Sequence, residues 1–162
     1  MAERSQRVLG APMATNGVET SPDDNTRYTV GMDTYVLLDE VLNNAIRSVM
    51  VYDDFSNQFT DQDMSALAAV ARYNTSLLAI NMCGVNVGDH SVSLLCDALV
   101  RSKVRQIDFS NTYLDDQTGA SLLALAHCNP NLRTVVVDDT LISEEMMDEI
   151  DLVCQYTDSG FE

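Results

Sequence analysis

The stretch that decides the fold is Val104–Asn131, VRQIDFSNTYLDDQTGASLLALAHCNPN. It begins with alternating apolar residues, passes through a polar turn, and then takes the spacing of an amphipathic helix. The pattern also starts 27 residues earlier, at Leu77, and 28 residues later, at Leu132. A weaker copy starts 28 residues before Leu77, at Val49. A repeat period in the twenties predicts a solenoid of stacked units rather than a closed globule.

Counting each unit from its first apolar residue assigns a role to each position. Positions 1, 4 and 6 predict a short strand that faces inward, and positions 16, 19 and 23 predict a buried helical stripe. Between them, position 11 is apolar, position 12 suits a helix N-cap and position 13 is acidic, as the helix dipole favours. The predicted caps are Thr60, Gly88, Asp115 and Ser143, and the acidic column is Asp61, Asp89, Asp116 and Glu144.

The first unit departs from this pattern because its position 6 is Asp54. Either its strand is distorted at the edge of the solenoid, or the register slips there by one residue. In all units the order strand, turn, helix and return predicts parallel neighbouring strands, with the helices packed along one face.

Three segments are predicted along the chain. Residues 1–28 are rich in Gly, Pro, Ser, Thr and Asn without periodicity, which indicates a disordered tail. The repeat domain covers 29–156, with a capping helix over about 33–46 that would cover the first core layer with the helical stripe of Tyr35, Leu38, Val41 and Leu42. Residues 157–162 are predicted to form a flexible acidic tail. The four repeats start near residues 49, 77, 104 and 132.

The phrase LxxLxLxxNxL followed by a helix resembles the leucine-rich repeat family, and the unit length resembles its ribonuclease-inhibitor-like class. Tropomodulin-like repeats are among the relatives. The turn asparagine of the family stands at Asn57, but Val85, Thr112 and Thr140 replace it later. Threonine can do part of its hydrogen bonding and valine cannot. The resemblance implies an α/β solenoid with strands on the concave side, and a non-enzymatic module that binds protein through the strand face or its rim.

Composition narrows the range of partners and compartments. The formal charge of −16 disfavours nucleic acid and anionic membranes and suits a protein with a basic surface. No apolar run is long enough for a membrane span, and the start lacks the apolar core of a secretory signal. Cys96 and Cys154 fall at inward positions of the repeat, and the four cysteines lack a C-x-x-C pairing. This pattern favours reduced core thiols and a cytoplasmic protein.

Positions 3, 5 and 7 of each strand point away from the core, so their side chains would line an open face. Basic residues gather at the helix ends and acidic residues at the opposite rim, which the helix dipoles largely explain. The predicted partner-binding residues are Asp53, Phe55, Asn81, Gln106, Asp108, Ser110, Val136 and Asp138.

Three functional hypotheses follow. The first is a protein-interaction module that uses the strand face or the acidic rim, without a cofactor. The second is a structural subunit of a cytoskeletal assembly, at an actin filament end or in an axoneme, which exposed apolar residues at a solenoid end would favour. The third is a metal-dependent hydrolase at the acidic rim, although no calcium loop or phosphate-binding glycine loop is present. Neither His90 nor His127 has a nucleophile at a suitable spacing.

Overall fold

The computed structural model describes residues 26–28, 34–51 and 58–158. Strands and helices alternate along this part of the chain. The elements are β1 (Thr26–Tyr28), α1 (Thr34–Leu42), β2 (Ser48–Met50), α2 (Asp61–Ala71), β3 (Ala79–Asn81), α3 (Asp89–Leu99), β4 (Gln106–Asp108), α4 (Asp116–Cys128), β5 (Thr134–Val136) and α5 (Glu144–Asp158).

The strands form one parallel sheet in the order β1-β2-β3-β4-β5, and each helix packs against the next one along the chain. Spatial neighbours are therefore also sequence neighbours, which is the arrangement of a solenoid. The predicted α/β class with parallel strands is confirmed. Within the described residues, no helix is long and apolar enough to cross a membrane.

The core lies between the sheet and the helices. The middle residues of β2 to β5 are Val49, Ile80, Ile107 and Val135, and each is at most 6% exposed. In the three later units, every position predicted to face inward is buried except Met147, which is half-buried. Strand alternation and the helical stripe therefore meet in one continuous apolar layer.

The first repeat lies in a different register from the predicted one. Strand pairing aligns Val49 with Ile80, so Val49 occupies position 4 and the unit begins at Ile46. Val51, which the sequence pattern assigns to the open face, is 3% exposed and takes position 6. The physical reason is burial, because this register puts a valine into the core where the predicted one requires Asp54.

The N-terminal boundary also differs from the prediction. Thr26 lies opposite Ser48, so the last three residues of the predicted 1–28 tail belong to the sheet. At the other end, α5 continues to Asp158, two residues into the predicted 157–162 tail. Strand pairing and helical hydrogen bonds satisfy the backbone N–H and C=O groups at these two boundaries. The amino-acid composition, on which the predicted tails rest, does not reveal such bonds.

The predicted helix over 33–46 is present as α1 but is shorter. In the chain it connects β1 to β2, so it is not the first element of the repeat domain. Leu37 and Val41 are its buried residues, whereas Tyr35 is 80% exposed, so the predicted inward position of Tyr35 is wrong. The capping role of this helix stays a prediction.

The turns after β3, β4 and β5 each use a left-handed residue, and a hydroxyl follows it in the last two. Gly84, Asn111 and Asp139 have φ values of 75°, 56° and 54° at equivalent positions. Asparagine and aspartate tolerate this conformation better than most residues, and glycine adopts it freely. The next residues are Thr112 and Thr140, whose hydroxyls donate to the Phe109 and Val137 carbonyls at 2.7 Å.

After each of three helices, a buried polar side chain holds the return to the next strand. Asn129 donates to the Leu99 carbonyl at 2.9 Å and to the Ser102 hydroxyl at 3.2 Å, and it accepts from the Asn131 amide. Asn74 bonds in a similar way to the Val41 carbonyl. The last carbonyls of a helix lack partners within it, so these asparagines supply a partner from the next unit.

We expect Asn129→Ala to lower the free energy of unfolding by about 2–3 kcal/mol, because it leaves buried backbone groups without partners. Urea denaturation at pH 7 measures this change. Cys128→Ala, at the exposed neighbouring position, is the matched control and should change the value by less than about 0.5 kcal/mol. Equal values for the two variants would contradict the role of Asn129.

Two of the four cysteines belong to the core, as the repeat predicts. Cys96 and Cys154 are buried, and none of the four cysteines, all within the described residues, forms a disulfide. Burial raises the pKa of the Cys96 thiol to about 12, and the nearby Asp97 acts in the same direction. Burial, followed by the charge of Asp151, also raises the pKa of Cys154. These thiols are therefore poor nucleophiles at neutral pH and act as small apolar residues.

Candidate partner-binding surface

The open face of the sheet is narrower than predicted, because strands have only three residues each. Its central row runs through position 5 of four paired strands and consists of Met50, Asn81, Asp108 and Val136. All four side chains are half-buried. The row is apolar at both ends and polar in the middle.

The polar middle of this row is held by internal hydrogen bonds. Asn81 donates to Asp108 at 3.2 Å across the two strands. The other carboxylate oxygen of Asp108 accepts from the Ser110 amide at 2.8 Å and from its hydroxyl at 2.6 Å. The side-chain oxygen Oδ1 of Asn81 accepts from the Cys83 amide at 3.0 Å. These side chains form hydrogen bonds at the ends of the strands, so much of their hydrogen-bonding capacity is used within the molecule.

The predicted binding residues therefore fall into separate groups. Asn81, Asp108 and Ser110 form one network, whereas Gln106 and Asp138 are exposed and Val136 is half-buried. Asp53 and Phe55 lie outside the described residues. Their predicted places on the open face depend on the register that strand pairing corrects, since Met50 takes the position assigned to Asp53. Binding by any of these residues stays a prediction.

We expect Asp108→Ala to destabilise the fold by about 1–3 kcal/mol, because it removes the acceptor of three hydrogen bonds to a charged group. Gln106→Ala is the control, since Gln106 is an exposed residue of the same strand; its effect should stay below about 0.5 kcal/mol. Urea unfolding followed by circular dichroism measures both changes. A negligible effect of Asp108→Ala would show that the network adds no stability.

The acidic column joins successive units rather than only capping its own helices. Asp61 accepts from the Gly88 amide at 2.7 Å and from the Ser91 hydroxyl at 2.6 Å. Asp89 accepts from the amides of Asp115 and Thr118 and from the Thr118 hydroxyl. Each carboxylate therefore fixes the start of the helix in the next unit. The third member of the column repeats the bond, with Asp116 accepting from the Ser143 amide at 2.7 Å.

The predicted N-caps are confirmed where a side chain is available. Thr60 and Asp63 form a capping box, and Asp115 accepts from the Gln117 amide at 2.8 Å. Ser143 accepts from the Met146 amide at 3.4 Å. Gly88 stands at the N-cap without a side chain, and the carboxylate of Asp61 from the preceding unit accepts from the Gly88 amide, as Asp63 does from the Thr60 amide. This compensation explains how a glycine fits the cap column.

These bonds lower the pKa of two carboxyl groups. The hydroxyl of Ser91, followed by the Gly88 amide, holds the pKa of Asp61 below its ordinary value of 3.8. Burial acts to raise the pKa of Asp89, but the hydrogen bonds from Thr118 and Asp115 outweigh it and lower the pKa. The ionised forms are therefore stabilised by folding, and this stability is present above pH 3.8 and is lost as the pH falls below it.

We expect Asp89→Asn to reduce the free energy of unfolding by about 1 kcal/mol at pH 7, since the amide keeps an acceptor but loses the charge. The difference from the wild type should shrink as the pH falls below 3.8. Urea unfolding from pH 7 to pH 2.5 measures it. Asp97→Asn, which removes an exposed carboxylate of α3, is the control. A difference that stays constant to pH 2.5 would contradict the assigned pKa shift.

The strand-to-helix rim carries an apolar surface that the sequence pattern does not single out. Tyr113 is 79% exposed and Leu141 is 65% exposed, at the same turn position of adjacent units. A depression of about 340 Å³ lies between the two turns. We call this surface the apolar rim; its lining residues are Gly84, Asn111, Thr112, Tyr113, Asp139, Thr140 and Leu141. In the sequence, the signal for this surface is a pair of apolar residues at a turn position that does not face the core.

Acidic side chains surround the apolar rim. Asp115 and Asp116 follow Tyr113 in the chain, and Asp138 and Asp139 precede Leu141; all four are exposed. An exposed apolar pair within an acidic border matches a partner that offers an apolar contact framed by basic residues.

The described residues show no grouping suited to metal chemistry. No cluster of three or more His, Cys, Asp or Glu side chains there could hold a metal ion. His90 and His127 are both exposed and lie on different helices. The lack of a cofactor, a metal and an enzymatic activity stays a prediction.

The parallel sheet, the successive helices and the turn geometry together define a leucine-rich-repeat-like solenoid. Solved structures share the fold, among them the following two. The tropomodulin C-terminal domain of Caenorhabditis elegans is similar with a TM-score of 0.69 and 12% identity, over 87% of this chain and 88% of that one. Actin-binding site 2 of leiomodin-1 is similar with a TM-score of 0.60 and 14% identity, over 72% of this chain and 69% of that one. No protein-family model and no curated protein sequence matches the chain.

Proposed function

We propose that this chain is a non-enzymatic protein-binding module of an actin-based cytoskeletal assembly, and that it binds actin. The similarity of fold carries the proposal, since one protein of the same fold is an actin-binding site of leiomodin-1. A tropomodulin domain is similar over most of its length. The proposal develops the cytoskeletal hypothesis and gives the protein-interaction module a specific partner.

The apolar rim is the surface that best supports binding. Tyr113 and Leu141 expose most of their side chains, and tyrosine is among the residues enriched where interfaces concentrate their binding energy. The turns that present them are anchored by backbone bonds between units, such as the Leu141 amide to the Leu114 carbonyl at 2.9 Å. A fixed pair of apolar side chains loses little conformational entropy on binding.

Gln106 and Val136 lie on the open strand face. They are on neighbouring strands, β4 and β5, and Gln106 is exposed while Val136 is half-buried. We propose that a partner seated on the apolar rim also contacts these two residues and Asp138. Asn81 and Asp108 contribute mainly by holding the strand ends in place.

Tyr113→Ala combined with Leu141→Ala is expected to weaken actin binding by about tenfold or more, as the loss of interface anchors does. Co-sedimentation with actin filaments and titration of fluorescently labelled monomeric actin measure the two forms of the partner. Both side chains are mainly exposed, so the thermal midpoint of unfolding should stay close to that of the wild type.

The matched control is Tyr73→Ala combined with Leu42→Ala, which removes an exposed tyrosine and an exposed leucine away from the apolar rim. This variant should bind actin as the wild type does. If the wild type binds neither filaments nor monomers, actin is the wrong partner. If it binds and both double variants lose affinity equally, the apolar rim is the wrong surface.

A further inference from the structure

The edge of the sheet opposite the apolar rim collects the basic side chains. Six of the nine Lys and Arg residues of the chain lie here, where helices end and strands begin. All of them are exposed except Arg133, which is half-buried. We call this surface the basic edge; it consists of Arg47, Arg72, Arg101, Lys103, Arg105 and Arg133.

The centre of the basic edge is the return between α3 and β4. Arg101, Lys103 and Arg105 are exposed, while the intervening Ser102 and Val104 are 5% and 0% exposed. The Ser102 hydroxyl accepts from Asn129 and from the Val104 amide, which ties this segment to the core. The alternation therefore directs three cations outward from a backbone that is held in place.

Backbone pairing extends this group across the neighbouring units. The Arg105 carbonyl accepts from the Arg133 amide at 2.8 Å, and the Leu78 carbonyl accepts from the Arg105 amide at 2.7 Å. The Arg47 carbonyl accepts from the Leu78 amide at 2.7 Å. Arg47, Leu78, Arg105 and Arg133 therefore follow one another at the spacing of parallel strands, and the row is about 14 Å long.

Helix dipoles account for only part of the basic edge. A dipole favours cations at the end of a helix; Arg72 is the C-cap of α2, but α3 has no basic residue in its last turn. Lys103 and Arg105 instead follow α3 by four and six residues, counted from Leu99. Residues 98–107 contain no acidic residue. Among the described residues, the exposed acidic side chains nearest to the basic edge in the chain are Asp97, four residues before Arg101, and Asp138, five residues after Arg133.

We propose that the basic edge is a second docking surface and that it takes an acidic, extended segment of a protein. Arginine side chains bind carboxylates through paired hydrogen bonds. The remainder of the molecule is strongly acidic, with a net charge of −16 overall. At physiological salt, charges are screened beyond about 8 Å, so a short segment on this edge meets mainly its cations. A duplex or a bilayer would also face the acidic surface and be repelled.

This inference does not depend on the actin proposal, because the two surfaces lie on opposite edges of the sheet. With both occupied, the module would connect an acidic segment of one protein to a second protein at the apolar rim. The two proposed partners therefore have opposite charges, with an acidic segment at the basic edge and basic residues facing the apolar rim.

The test uses a fluorescein-labelled peptide of ten glutamates and the full chain at physiological salt, with anisotropy as the readout. The triple variant Arg101→Gln, Lys103→Gln, Arg105→Gln should bind the peptide about tenfold more weakly, since each lost contact contributes roughly 0.5 kcal/mol. The matched control, Gln117→Glu, Ala120→Glu, Ala124→Glu, makes the same change in net charge at exposed positions of α4. It should stay within about twofold of the wild type. Circular dichroism checks that every variant is folded.

Three outcomes would overturn the proposal. The first is no binding of the peptide by the wild-type chain at millimolar concentration. The second is equal weakening in the triple variant and the α4 control, which would make net charge the cause. The third is binding of a single-stranded oligothymidylate or of phosphatidylserine vesicles that the triple variant loses, without binding of the peptide. That result would assign the basic edge to a different class of partner.

Discussion

No unit of this chain can bury its own apolar face, and this constraint governs the whole structure. The strands have only three residues each, and the middle side chains of β2 to β5 are buried only because a helix and the neighbouring units cover them. The backbone obeys the same constraint, since the amides of one strand bond to the carbonyls of the next. Stability is therefore a property of the stack, as in other repeat proteins.

Polar side chains connect the stack at two levels. On the strand-to-helix side, Asp61, Asp89 and Asp116 each reach an amide at the start of the next helix. On the opposite side, Asn74 and Asn129 reach the last turns of the preceding helices. Both sets satisfy backbone groups that a helix leaves open at its ends. They also explain why acidic residues recur at one rim.

Internal hydrogen bonding separates side chains that stabilise the fold from side chains that are candidates for binding. Asn81 and Asp108 have the polarity expected of a binding strip, but their hydrogen bonds close the strand ends. Tyr113 and Leu141 have the opposite character, because they are apolar and exposed without a role in the core. A residue without an internal partner is the better candidate for an external one. The proposed actin surface rests on this reasoning, whereas the proposed acidic-segment surface rests on the grouping of its cations.

The sequence by itself determined the repeat, the strand and helix positions of the last three units, the helix caps and the two buried cysteines. Each of these follows from the spacing of apolar and capping residues within one unit, which can be read from the sequence. Tertiary structure alone decided the register of the first unit, the addition of β1, and the partners of the acidic column. Each depends on which backbone group lies opposite in the neighbouring unit. The apolar rim belongs to the second group too, because only stacking brings the turns of Tyr113 and Leu141 together.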